Sequence, residues 1–235
     1  MEKILLILFL LFFSQPIFSQ QVADSLSFSN SLTQFLPKYN MKAKDAYYHR
    51  DFNKAKQLFK SLVNNHLKNS YMDNFTFYNI KGKPIELYSF EKPIYLMTCA
   101  SWCIPTSGEI PAINELANKY SNQVDFVVIF WDDQKTTREL AKSYNKKIQI
   151  FYVNEMKNQD SFVISQLKHS LGLPTTFLID SNKKILDIKR EISHPYGISQ
   201  AKSYDMNYDY MHNSIANELL APKGFEQNLD PVASN

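Results

Sequence analysis

Cysteine is scarce in this chain, which has only Cys99 and Cys103 among its 235 residues. An exported protein stapled by disulfide bonds would usually carry more cysteines, so two of them four positions apart indicate a reactive site. A strong excess of one charge is also missing, because 26 Lys and Arg residues stand against 23 Asp and Glu residues. Without a basic block, no nucleic acid partner is expected.

A hydrophobic run that could span a membrane is missing as well. The run Ile4–Phe13 is shorter than the roughly 20 residues that a bilayer requires. An early lysine precedes it and small and polar residues follow it, which is typical of a secretory signal peptide over residues 1–20. We therefore expect a periplasmic or secreted protein with no membrane association once the signal is cleaved. An uncleaved membrane anchor is the alternative.

The next segment predicts helices. Residues 21–37 are polar and rich in serine, and they predict a linker or a weak helix. Apolar residues recur at helical spacing over residues 41–67, and Asp51–Asn53 predicts a turn between two helices. This pair resembles one hairpin of a tetratricopeptide repeat. Such repeats need about three copies to bury their apolar faces, so we expect the single pair to pack on the next domain.

From residue 71 onward, strand and helix patterns alternate. Residues 75–90 alternate apolar and polar side chains around Lys81-Gly82-Lys83 and predict a β-hairpin. Further strands are predicted at 93–98, 124–131, 148–153, 175–180 and 184–190, and helices at 104–120, 136–144, 160–169 and 199–220. Alternating strands and helices predict an α/β fold with a parallel portion. The last two strands are too closely joined to be parallel, so the sheet should be mixed.

The stretch TCASWCIPTSGEIP, residues 98–111, contains the candidate chemistry. Cys103 lies just before a predicted helix, where unpaired N–H groups and the helix dipole favour an anion such as a thiolate. Pro105 fits the first turn of that helix, because its missing N–H costs nothing there. A redox dithiol would have a second cysteine three residues after Cys103, but this chain has Thr106.

This motif, together with GLPTTFLID at residues 172–180, resembles the thioredoxin-like superfamily, and more narrowly the exported TlpA/ResA-type thiol–disulfide oxidoreductases. The resemblance implies a thioredoxin-like α/β fold, in which helices flank a mixed central sheet that begins with a β-hairpin. A small helical extension would precede it. The implied division is a signal peptide (1–20), a helical extension (21–70), a thioredoxin-like domain (71–221) and a tail (222–235).

The resemblance also implies a role for each residue of the motifs. Cys103 would be the nucleophile, and Trp102 would shield it and offer an apolar surface to a partner. Pro174 would be the cis-proline that faces the cysteine and leaves a backbone edge for an extended substrate. Leu173 and Thr175 would flank that substrate groove.

Three residues depart from the family pattern: Cys99 replaces a frequent tryptophan, Ile104 a frequent glycine and Thr106 the second cysteine. Thr106 cannot attack a mixed disulfide, but its hydroxyl can donate a hydrogen bond to a thiolate. The leading hypothesis is therefore a monothiol disulfide exchanger without a cofactor. Its partners would be protein or peptide thiols and disulfides, with an external thiol or reductase that resolves the intermediate.

Cys99 and Glu109 each allow two interpretations. We interpret Cys99 first as a core cysteine and second as a resolving thiol, because a disulfide with Cys103 would require the loop between them to fold back. Glu109 is interpreted first as a first-turn acid that complements the helix dipole. Its second interpretation, which the resemblance suggests, is assistance in proton transfer.

Two other functions remain open. If exchange has been lost, the fold would act as a redox-inactive module that binds partners along the Pro174 groove. The second alternative is Cu(I) handling, because Cys99 and Cys103 have the C-x-x-x-C spacing of Sco-type carriers and His169 or His194 would supply a third ligand. Cys99, however, lies closer to its strand than the Sco cysteines do.

A peroxidase is a weaker alternative. Pro93 and Thr98 do not have the spacing to the cysteine that peroxiredoxins show.

Overall fold

The computed structural model of the chain describes residues 26–156, 164–190, 192 and 194–221. The predicted signal peptide, the tail and the first part of the helix predicted at 160–169 lie outside these residues. The strands are β1 (Thr76–Asn79), β2 (Pro84–Glu86), β3 (Ile94–Cys99), β4 (Asp125–Phe130), β5 (Ile148–Tyr152), β6 (Thr175–Ile179) and β7 (Ile185–Arg190). The α-helices are α1 (Phe28–Tyr48), α2 (Phe52–Leu62), α3 (Glu109–Tyr120), α4 (Gln134–Leu140) and α5 (Gln200–Ser214).

Shorter helical turns complete the described elements. They are 3₁₀ or π-helical and cover Val63–Leu67, Leu87–Ser89, Ala141–Ser143, Ile164–His169 and Ile215–Leu219. No helix within the described part of the chain is both long and apolar enough to cross a bilayer.

The strands form one mixed sheet in the order β2–β1–β5–β4–β3–β6–β7. The central strands β3, β4 and β5 are parallel, whereas the β1–β2 hairpin and the β6 and β7 strands pair antiparallel. Every residue of β3 and β4 is buried, as expected for parallel strands covered on both faces. The predicted α/β class, the β-hairpin and the mixed sheet are confirmed.

Two hydrophobic clusters lie on opposite faces of the sheet. Ile94 and Leu96 of β3 belong to the cluster that includes side chains of α1 and α2. Tyr95 and Met97 belong to the other cluster, with side chains of α3 and α5. This alternation follows from the two-residue period of a strand, and it places the helical extension directly on the sheet.

Helix α1 begins at Phe28, within the segment predicted as a linker or a weak helix. It is a regular helix of 21 residues capped by Ser27, so the linker alternative is wrong from Phe28 onward. Phe28 is completely buried, and its ring meets that of Phe177 edge to face at a centroid distance of 5.7 Å. Burial of this kind stabilises helices whose local sequence is only weakly helical.

The helical hairpin is joined to the sheet through Arg190 at the end of β7. Its guanidinium lies 4.0 Å from the ring centre of Phe59 in α2. It also donates hydrogen bonds to the Tyr39 hydroxyl (3.3 Å) and the Leu171 carbonyl (2.8 Å). Asp51, predicted to lie in the turn between the helices, is the N-cap of α2.

The helix predicted from Ile104 begins only at Glu109. A proline disfavours helical backbone in the residue before it, so Pro105 delays the start at Ile104. Gly108 also passes so close to α5 that a Cβ atom there would lie 2.1 Å from the backbone nitrogen of Tyr204. The prediction that Pro105 occupies the first helical turn is therefore wrong.

Candidate functional site

The loop after β3 folds back into a tight turn that contains Cys103. The Cys103 N–H donates to the Ala100 carbonyl (2.8 Å), and the Ala100 N–H donates to the Cys103 Sγ (3.4 Å). The Ser101 N–H and hydroxyl donate to the two carboxylate oxygens of Asp132, at 2.8 and 2.5 Å. Asp132 follows β4, the parallel neighbour of β3, so the turn is fastened to the adjacent strand.

Cys103 is half-buried, and its neighbours in sequence are open to solvent. Trp102 is 64% exposed and Ile104 is 88% exposed. Large apolar side chains that are exposed to solvent are available to contact another molecule. The structure therefore places an apolar rim beside the thiol. The partner-binding role of Trp102 stays a prediction.

Cys99 is the last residue of β3 and is only 7% exposed. Both cysteines are thiols and do not form a disulfide, although the loop folds back. Burial raises the pKa of the Cys99 thiol well above its ordinary value, and the nearby acidic groups of Cys103, Glu109 and Asp132 raise it further. This placement agrees with the interpretation of Cys99 as a core cysteine.

The helix N-terminus does not lie where the sequence predicts it. Since α3 begins at Glu109, an irregular segment that includes Cys103 precedes its first unpaired N–H groups. The expectation that the helix start stabilises the Cys103 thiolate stays a prediction. The Ala100 N–H, from the turn itself, donates a hydrogen bond to the sulfur.

A cavity of about 70 Å³ opens beside Cys103. It has room for about two water molecules. Its wall brings together Cys103, Pro105 and Glu109 with Pro174, which is more than sixty positions further along the chain. The Leu173–Pro174 peptide bond is cis. The two motifs of the sequence thus meet where β3 ends and β6 begins.

Glu109 is buried at the first position of α3. Its carboxylate accepts a hydrogen bond from the Thr106 N–H (3.3 Å), and its own N–H donates to the Thr106 carbonyl (3.0 Å). An acid at this position complements the helix dipole. Because Glu109 also lines the cavity beside Cys103, both interpretations of this residue are compatible with its position.

Thr106 is held by a residue that the sequence did not reveal. Its Oγ1 accepts a hydrogen bond from the side-chain amide of Asn207 (2.8 Å), and that amide also donates to the Ser203 carbonyl (2.8 Å). Asn207 is 2% exposed and lies in α5, about a hundred residues away. Because the Thr106 oxygen is the acceptor, its hydroxyl hydrogen is available to another acceptor.

Thr175 is the first residue of β6, and its buried side chain donates a hydrogen bond to the Gly172 carbonyl (2.8 Å), which holds the preceding loop. Its place beside a substrate groove stays a prediction. Gly172 has φ of +79°, a left-handed conformation that glycine adopts without steric cost. Leu173 is partly buried and packs against the first hydrophobic cluster.

Metal ligands do not assemble around the cysteines in the described residues. No group of three or more His, Cys, Asp or Glu side chains among them could hold a metal ion. His169 and His194 are not among the residues that line the Cys103 cavity.

Comparison with known proteins gives the family. The model of the AhpC/TSA family matches residues 69–188, a little over half of the chain. A thiol-disulfide oxidoreductase ResA from Bacillus thuringiensis subsp. konkukian is 30% identical over 122 residues, which cover 50% of this chain and 67% of the relative. A second ResA, from Bacillus cereus, is 28% identical over 117 residues, which cover 48% of this chain and 64% of the relative. The match thus spans about two thirds of the length of these curated relatives.

A similar solved structure is that of a thiol:disulfide interchange protein from Bacteroides sp., with a TM-score of 0.49 and 15% sequence identity. That similarity covers 68% of this chain and 95% of the other. The family match includes both the turn around Cys103 and the loop with cis-Pro174. The chain therefore belongs to the AhpC/TSA family and has a thioredoxin-like fold.

Proposed function

We propose that this protein is a monothiol thiol–disulfide exchanger that acts on exported proteins, with Cys103 as its nucleophile. The observation that best supports this is the Cys103 thiol, half-buried in a fastened turn, whose Sγ accepts a hydrogen bond from the Ala100 N–H at 3.4 Å. A hydrogen bond to the thiolate favours the charged form, which is the form that attacks disulfides. The ResA relatives are named as thiol-disulfide oxidoreductases, which supports the same chemistry here.

The location is part of the same proposal. The signal peptide predicted at residues 1–20 supports action in a periplasm or outside the cell, where disulfides form and persist.

The reaction begins when the Cys103 thiolate attacks one sulfur of a substrate disulfide. The S–S bond breaks, a mixed disulfide forms with Cys103, and the second substrate sulfur leaves as a thiolate that takes up a proton. Because Thr106 replaces the resolving thiol, an external thiolate attacks the substrate sulfur of the mixed disulfide. A disulfide forms between that external thiol and the substrate, the bond to Cys103 breaks, and Cys103 leaves as a thiolate. When a further cysteine thiolate of the substrate attacks instead, the substrate disulfide is isomerised and no net redox change occurs.

The other site residues would bind and position the substrate. The exposed rim at Trp102 supports contact with an apolar part of the partner. Pro174 would leave its neighbouring backbone edge to an extended segment, beside Leu173, and Pro105 shapes the wall of the cavity. Thr106, held by Asn207, would direct its hydroxyl hydrogen toward the sulfur.

The test is the pH dependence of alkylation at each cysteine of the folded chain, measured by mass spectrometry. We expect Cys103 to react with a midpoint below about 8.5, the value of an ordinary thiol. Cys99 should react slowly and with a higher midpoint, because burial raises its pKa. Exchange with a disulfide substrate should disappear in Cys103→Ser and persist in the control Cys99→Ala. An inert Cys103, with exchange unchanged in Cys103→Ser, would refute the proposal.

A redox-inactive binding module is the second candidate, and the electrostatics of the site support it. The carboxyl groups of Glu109 and Asp132 lie close enough to raise the pKa of Cys99, and Glu109 also lines the cavity beside Cys103. Nearby acids oppose a further negative charge. An ordinary or high alkylation midpoint for Cys103, with partner binding unchanged in Cys103→Ser, would favour this function over exchange.

A further inference from the structure

Two further depressions continue from the Cys103 cavity toward the N-terminal helices. A cavity of about 30 Å³ shares Glu109 and Pro174 with it. That second cavity shares Arg190 with an open groove of about 760 Å³. The small cavity thus links the groove to the Cys103 cavity, and Gly172 in the groove wall is two residues before cis-Pro174.

The groove separates α1 from the loop that precedes Pro174. The side chains and backbone that matter for recognition come from Tyr39, Lys44, Tyr47, Tyr48, Gly172 and Arg190. Tyr48 is 84% exposed and Tyr47 is 48% exposed. Tyrosine offers a large apolar ring and a polar hydroxyl at low cost in conformational entropy, which is why it is frequent on surfaces that bind peptides and proteins.

The helical hairpin that forms one wall is strongly basic. Between residues 28 and 62 there are seven Lys and Arg residues and two Asp residues, whereas the entire chain has a net charge of only +3. The two acids already interact with the hairpin itself: Asp45 lies 3.7 Å from the Lys54 ammonium, and Asp51 caps α2. The net positive charge of the chain is therefore concentrated on this hairpin.

The groove wall carries part of that charge. Lys44 is exposed on α1, and the Arg190 guanidinium faces the groove from β7. Carboxylates are the groups that these two cations attract, and Arg190 contributes its positive charge although its guanidinium also donates to the Tyr39 and Tyr47 hydroxyls and the Leu171 carbonyl. The charge of the wall therefore selects against basic segments and for acidic ones.

We infer that this groove binds an acidic, extended segment of the protein whose disulfide reacts at Cys103. The inference rests on the proposed function and specifies its substrate class. Gly172 in the groove wall is two residues from Pro174, and an extended chain spans up to about 3.5 Å per residue. A segment lying beside Pro174 therefore enters the groove within a few residues of its reacting cysteine.

The experiment measures binding without chemistry. A short fluorescent peptide carries serine at the place of the reactive cysteine and a run of Asp and Glu beside it, and a matched peptide carries Lys in that run. Binding to the full chain is followed by fluorescence anisotropy at low and high salt. We expect the acidic peptide to bind more tightly than the basic one, and its affinity to fall with salt.

Two charge reversals locate the binding surface. Lys44→Glu should weaken binding of the acidic peptide by about five-fold, because it replaces an attraction by a repulsion. The matched control is Lys56→Glu, an exposed residue of α2 outside the groove wall, and it should change the affinity by less than about two-fold. Tyr48→Ala should also weaken binding. Because this side chain is exposed, its removal should leave the fold intact.

Three results would overturn the inference. They are equal weakening by Lys44→Glu and Lys56→Glu, tighter binding of the basic peptide, and stronger binding of a peptide of residues 222–235 than of the acidic probe. The last result would assign the groove to the tail of this chain.

Failure of the groove and failure of exchange are distinguishable. The serine probe cannot exchange, so Cys103→Ser should bind it as the unmodified chain does. Binding that depends on Lys44, together with an inert Cys103, would refute exchange and support the groove. A reactive Cys103, together with peptide binding that does not depend on Lys44, would support exchange and refute the groove.

Discussion

Position 106 has a threonine hydroxyl where a dithiol site would have its second cysteine. This hydroxyl is hydrogen-bonded within the fold. Its oxygen accepts a hydrogen bond from Asn207, a buried residue of α5 whose amide also donates to Ser203. Thr106, in the loop after Cys103, is thus tied to helix α5. The identity of residue 106 should therefore affect stability.

Thr106→Val tests this support. Valine has nearly the same shape but cannot accept a hydrogen bond, so one N–H of the buried Asn207 amide loses its acceptor. We expect the free energy of unfolding to fall by about 1–3 kcal/mol, measured by urea denaturation. Thr106→Ser keeps the hydroxyl and should lose clearly less. A loss in Thr106→Ser with little or none in Thr106→Val would show that the methyl group of Thr106, and not its oxygen, stabilises the fold.

Protonation of Cys99 should make the stability of the protein depend on pH in the moderately alkaline range. Burial raises its pKa in the folded chain. As pH rises through about 8.5, the unfolded chain releases this proton and the folded chain retains it, so the free energy of unfolding falls. Urea denaturation between pH values of about 8 and 10 should show a smaller decline in Cys99→Ala than in the unmodified chain. Identical declines would contradict the assignment of this pH dependence to Cys99.

At the scale of elements, the close approach of α3 and α5 sets the shape of the loop between Cys103 and α3. Gly108 lies immediately before α3, and its N–H donates to the Ser203 hydroxyl at 3.1 Å. The backbone of α5 approaches so closely that no side chain fits at position 108. The loop from Ile104 to Gly108 is therefore shaped by a helix that begins almost a hundred residues later.

Gly108→Ala should destabilise the protein strongly. The added Cβ would lie 2.1 Å from the Tyr204 nitrogen and 2.3 Å from its Cα, and a backbone cannot rotate away as a side chain can. We expect the free energy of unfolding to fall by about 3 kcal/mol, with a lower melting temperature. Ser107→Ala, at the exposed neighbouring position, is the control and should change it by less than about 0.5 kcal/mol. A stable Gly108→Ala protein would mean that α5 can shift.

At the scale of the whole molecule, the helical hairpin and the sheet share a core. Phe28, Leu32 and Phe59 belong to the same buried cluster as Phe177 and Ile188. The N-terminal helices therefore stabilise the sheet as well as form one wall of the groove. The boundary predicted near residue 70, between an extension and a domain, stays a prediction.

Phe28→Ala tests whether the shared core makes the molecule cooperative. Removal of this buried ring should lower the free energy of unfolding by about 3–5 kcal/mol. Helix circular dichroism and the fluorescence of buried Trp131, in a Trp102→Phe background, should follow one common transition. The control Phe52→Ala removes an exposed ring and should cost much less. Separate transitions for the two signals would show that the helical hairpin and the sheet fold independently.

The sequence alone determined the strands and the mixed sheet, whereas the meeting of the two motifs was implied by the family resemblance. Apolar runs and alternations report local periods, and each predicted strand from 93 to 190 lies within one residue of its observed bounds. The replacement of a second cysteine by Thr106 is also visible without any structure, because the residue type at each position is read directly from the sequence.

Only the tertiary structure decided the start of α1 at Phe28, the late start of α3 and the burial of Thr175. It also decided the support of Thr106 by Asn207 and the groove beside α1. Each depends on contacts between residues far apart in the chain, such as Phe28 with Phe177 and Gly108 with Tyr204. Local patterns report which side chains are apolar, but packing between distant segments decides which of them meet and where a helix has room to begin.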